Sequence, residues 1–68
     1  MADHPNTASS LNNLAGLYCA QGRYAEAAPL FNEAVEIMER VLGAEHPNTK
    51  IMRENYEVLL AEMKEEGR

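Results

Sequence analysis

The sequence predicts an all-α fold: an antiparallel helical hairpin followed by a third, capping helix. Three observations carry that reading. Ala2-Asp3-His4-Pro5-Asn6-Thr7 returns as Ala44-Glu45-His46-Pro47-Asn48-Thr49, an offset of 42 residues. An internal period of this size marks stacked supersecondary units. Apolar residues then recur at helical spacing, and each apolar segment opens near a proline or closes at a glycine.

The first helix is expected over about 5–20. Leu11, Leu14, Ala15 and Tyr18 stand at i, i+3, i+4 and i+7 and so share one face. Pro5 suits a first helical turn, and His4 before it is pushed toward the extended geometry of an N-cap. Gln21-Gly22-Arg23 ends the helix, with Gly22 as the left-handed residue. A second helix is expected over about 24–42. Tyr24, Ala27, Ala28, Phe31, Ala34, Val35, Met38, Val41 and Leu42 give it a wide apolar stripe, broadened by Leu30 and Ile37. Pro29 removes an internal hydrogen bond and is expected to bend it. Gly43 closes it. The third helix is expected over 47–64, with Met52, Tyr56, Leu59, Leu60 and Met63 facing the second and Glu65–Arg68 fraying. Short connections make successive helices antiparallel neighbours, so residues 1–68 form a single domain.

Composition bounds the function. A 68-residue chain hides only about 60% of its unfolded surface on folding. With Cys19 the one cysteine, no disulfide within the chain compensates. A net charge of −5 argues against nucleic acid or an anionic membrane as partner, because both attract Lys and Arg. No apolar run approaches the ~20 residues that span a bilayer. No basic segment leads into an apolar one at the N-terminus, and a lone cysteine suits the cytoplasm. Phosphate-binding glycine loops and glycine-flanked nucleophiles are lacking, so catalysis is not expected. Neither is a cofactor. His4 and His46 repeat because the connector repeats, and no Cys or carboxylate cluster completes a metal site around them.

Leu11-x-x-Leu14-Ala15-x-x-Tyr18 followed by Ala27-x-x-x-Phe31 resembles the tetratricopeptide repeat, with Gly22, Tyr24 and Ala34 at further matching positions. Leu11 stands where that family has Trp, and Ala15 where it has Gly. The 42-residue period exceeds the family's usual ~34. With Leu11-Asn12-Asn13-Leu14-Ala15, Gln21-Gly22-Arg23-Tyr24 and the His-Pro connector, it resembles the kinesin-light-chain variety. Residues 5–42 then form a full repeat and 47–64 a half repeat. Ala15 and Ala27 let the first two helices approach.

The resemblance implies a concave groove lined by the first helix of each repeat, presented to a peptide or protein partner. Turning away from the buried face gives Ser9, Asn12, Gly16 and Cys19 as groove residues, with Asn13 at the edge. Ile51, Glu54 and Val58 are their counterparts on the third helix. Asn12 and Asn13 match the asparagines that hold a ligand backbone in kinesin-light-chain-like repeats, and a carboxamide both donates and accepts. At an offset of 42, Leu11 becomes Arg53, Ala15 becomes Glu57 and Gly22 becomes Lys64. Those charges give the third helix a polar outer side, as the end of an array requires, while the N-terminus has no such cap. Stacked repeats need about three units for stability. The second expectation is therefore a homo-oligomer, with Leu17, Leu30 and Ile37 as contacts between chains. Helix exchange opening at Gln21-Gly22-Arg23 or Gly43 is one route to it.

Overall fold

A computed structural model describes residues 4–66 of the chain as three helices, α1 (Pro5–Ala20), α2 (Tyr24–Val41) and α3 (Pro47–Glu66). Each boundary has a local cause. His4 is extended at φ −125° and ψ 140°, and its Nδ1 accepts the Asn6 N–H at 3.1 Å. The repeat reproduces this cap 42 residues later, where His46 Nδ1 accepts the Asn48 N–H, again at 3.1 Å. Each imidazole satisfies one of the amides that a helix start leaves without an internal partner.

α1 stops in a Schellman arrangement. Gly22 takes φ 77°, the Arg23 N–H bonds to the Tyr18 carbonyl at 2.9 Å and the Gly22 N–H to Cys19 at 3.0 Å. Gly43, at φ 95°, closes α2 by donating to the Met38 and Glu39 carbonyls. α2 remains continuous across Pro29. α3 runs on through Glu65 and Glu66, where fraying was expected; Gly67 and Arg68, also part of that expectation, lie outside the described residues.

α2 is the centre of the molecule, packed by α1 on one side and α3 on the other. Ala15, Ala27, Phe31 and Leu59 form one buried cluster, and Tyr18 and Tyr24 pack against it. Ala8, Ala34, Val35, Ile37, Met38 and Met52 form the other. Ala15 and Ala27 are both fully buried, which is what close approach of the α1 and α2 axes demands.

Ile37 needs correction. It is only 3% exposed, held in the core between α2 and its neighbours, and so offers nothing to a second folded copy. Leu30 is half-buried against the Phe31 cluster, leaving Leu17, 54% exposed, as the open residue of that set. Leu14, Val41 and Leu60, placed on apolar stripes by spacing, are exposed. The offset explains two of them. α3 meets α2 through Thr49, Met52, Tyr56 and Leu59; moved back by 42, Tyr56 and Leu59 become Leu14 and Leu17. α1 meets α2 instead through Ala8, Leu11, Ala15 and Tyr18. Leu60 is the counterpart of Tyr18, on the side of α3 that turns away from α2. The outer side of α3 is therefore charged but not wholly polar.

Thr49 is fully buried, its hydroxyl donating to the Met38 carbonyl at 3.4 Å. Arg53 reaches back from α3 to Glu39 at 3.0 Å and to the Ala44 carbonyl at 3.3 Å, tying α3 to the end of α2. Both partners of the ion pair are partly solvated, so it contributes less than ~1 kcal/mol.

Candidate functional site

α1 and α3 both rest on α2 and run in the same direction, and an open channel lies between them. Its larger section, about 590 Å³, sits toward the C-terminal ends of α1 and α3, with Phe31 and Tyr24 of α2 beneath. Gly16, Cys19 and Ala20 form the α1 wall there; Val58, Leu59 and Glu62 form the α3 wall. A smaller section of about 180 Å³ continues toward the N-terminal ends, between Ser9 on α1 and Asn48 and Ile51 on α3. Asn12 and Asn55 belong to both sections and join them.

The structure places Ser9, Asn12, Gly16, Cys19, Ile51 and Val58 in this lining. Asn13 and Glu54 are exposed and stand outside it. Sequence reasoning missed Asn55 and Glu62. The 42-residue offset held a signal for both, since Asn55 corresponds to Asn13 and Glu62 to Ala20. It was ambiguous because α1 and α3 face the channel from opposite sides. Ser9 and Ile51, Gly16 and Val58, and Ala20 and Glu62 are counterparts that both line it, but at the middle level the residue presented shifts by one: Asn12 on α1 and the counterpart of Asn13 on α3.

Two features set the chemistry. The Oδ1 of Asn12 is buried and has no hydrogen-bond partner. An unpaired buried acceptor costs about 1–3 kcal/mol, recovered when a donor reaches it. Cys19 sits beside Glu62; burial first, and then that carboxylate, push its thiol above the usual range. It is a neutral thiol near pH 7 and a poor nucleophile. Among the described residues, no group of three His, Cys, Asp or Glu is placed to hold a metal ion. Both histidine rings are engaged in helix caps. No helix among the described residues is long and apolar enough to cross a membrane.

Residues 7–48 match the tetratricopeptide repeat, across α1, α2 and the start of α3. The chain belongs to the tetratricopeptide repeat family. It is also 48% identical over 48 residues to the human clustered mitochondria protein homolog. That alignment takes in 71% of this chain and 4% of the human protein, so the chain spans a small fraction of its relative's length. Tetratricopeptide repeats serve generally as non-catalytic scaffolds for protein–protein interaction. In this tetratricopeptide unit α1 and α2 are the paired helices, and α3 repeats the opening helix of the pair.

Proposed function

We propose that this chain is a binding module whose α1–α3 channel accepts an extended segment of a protein partner. The observation that carries this is the buried, unpartnered Oδ1 of Asn12 in a channel with an apolar floor. Such a site supplies an acceptor to a backbone N–H and an apolar surface to a side chain, the two things an extended peptide needs. The 42-residue period, the Asn12-Asn13 pair and the His-Pro connector support the kinesin-light-chain variety of the repeat. The cytoplasm is the proposed compartment, in keeping with the single cysteine.

The test is a titration of isotope-labelled chain with a mixed library of blocked hexapeptides, followed through backbone amide shifts. Shifts are expected at Asn12, Gly16 and Asn55. Asn12→Ala should weaken them, whereas Asn13→Ala, outside the lining, should not. Shifts confined to the outer side of α3, around Glu57 and Lys64, would remove the reading.

Self-assembly is the second reading, favoured by one observation. Leu17 and Leu14 are 54% and 40% exposed, while their counterparts Leu59 and Tyr56 pack against α2. The Leu14–Leu17 face is thus shaped to meet a helix like α2, and a second copy can supply apolar surface for it. Sedimentation equilibrium tests this: a dimer or larger species that Leu17→Glu splits supports it, and a monomer at every concentration rejects it.

A further inference from the structure

Among the described residues, the channel lining is charged at one end only, and that charge is negative. Glu62 is the one ionisable carboxylate among the described residues of the lining, and no Lys or Arg among them lines either section. Arg23 lies over the Tyr18 ring at 4.6 Å and pairs with Glu26, and Lys64 is exposed and outside the lining. The Glu62 end is also where α1 finishes, at Ala20, with no basic residue in its last turn. A helix C-terminus carries a partial negative charge and favours a cation beside it. Both the orphaned Asn12 Oδ1 and the Glu62 carboxylate are acceptors, so the complementary ligand is rich in donors.

Spacing then sets a pattern. Val58 and Glu62 are four residues apart on α3, about 6 Å along the helix axis. Alternate side chains of an extended peptide repeat at ~6.6 Å. An apolar side chain resting between Val58 and Phe31 therefore brings the next residue on the same side of the peptide to Glu62. Building on the binding-module reading, we infer that the segment this channel accepts carries an apolar residue and, two positions away, Lys or Arg against Glu62. Acidic segments are disfavoured by the same carboxylate. At a partly solvated site the discrimination is modest, and it fades as salt screens it.

The test uses three blocked pentapeptides with leucine at position two and lysine, glutamine or glutamate at position four, threonine filling the rest. The same three are made in reversed order, because the structure sets no chain direction. Affinities are read from amide shifts of the labelled full chain at low and at high salt. For one order, the lysine peptide is expected to bind ~2- to 5-fold more tightly than the glutamine peptide at low salt. The glutamate peptide should be weaker by a similar factor. Glu62→Gln should abolish the lysine preference, bringing the lysine and glutamine peptides to equal affinity. Equal binding of lysine and glutamine peptides in the channel, or a preference that survives Glu62→Gln, overturns this inference and leaves the binding-module reading standing. Failure of all six peptides to shift channel amides at millimolar concentration overturns both.

Discussion

Leu17 and Leu59 are the same residue type at positions exactly one period apart, and the fold treats them oppositely: 54% exposed on α1, 3% exposed on α3. Truncating each to alanine gives a controlled comparison. Leu59→Ala removes three carbons from the cluster with Phe31 and Ala27 and leaves a cavity, at a cost of about 2–5 kcal/mol. Leu17→Ala leaves no cavity and gives up roughly half a leucine's burial, ~1 kcal/mol. Alanine's better helix propensity returns a few tenths. The expected gap is at least ~1 kcal/mol, about fivefold in the unfolding equilibrium. A domain of this length holds only ~3–10 kcal/mol in total, so Leu59→Ala should approach the limit of folding. The assay is urea unfolding followed by circular dichroism, with an osmolyte added to restore the folded baseline. Two protein concentrations separate packing within the chain from packing between chains. Equal costs at the lower concentration, or a Leu59→Ala cost under ~1 kcal/mol, would refute the assignment of faces. A Leu17→Ala cost that grows with concentration would place Leu17 in an interface between copies.

Three further outcomes are expected. Gly43→Ala should cost about 1–2 kcal/mol in urea unfolding, because φ 95° suits glycine although no atom lies within 4 Å of an added Cβ. D-alanine introduced there by chemical synthesis should be neutral or better. His46→Ala should cost ~1 kcal/mol by stranding the Asn48 amide, and His46→Asn should recover most of it, measured by thermal unfolding. The hydrogen bond from Arg23, and then its charge, hold the Glu26 carboxyl below the usual range. The help this gives to folding is therefore present above the ordinary carboxylate range and lost as pH falls through the lowered value. In a carboxyl-carbon NMR titration, Glu26 should titrate below the ordinary glutamate range, and Arg23→Gln should move it up.

Local chemistry was legible in the sequence. His4 and His46 cap helices because imidazole Nδ1 reaches an amide two residues on, and Gly22 and Gly43 stop them because each takes a positive φ. Such effects act over a few bonds, so the residues at hand determine them. The repeat added more, since a period of 42 implies two helices and a return to the first. Burial and the site were different. Spacing put Leu14 and Leu60 on the same stripes as Tyr18 and Leu59, yet which side of each stripe meets α2 was settled only when the helices packed. The same packing buried Ile37 and Thr49. It also joined Asn12 to Asn55 across the channel and brought Glu62 to one end of it. A helix presents one face by its own periodicity, but what that face meets depends on neighbours distant in the chain. The 42-residue offset says which residues are equivalent; only the third dimension says that equivalent residues on α1 and α3 look toward each other from opposite sides.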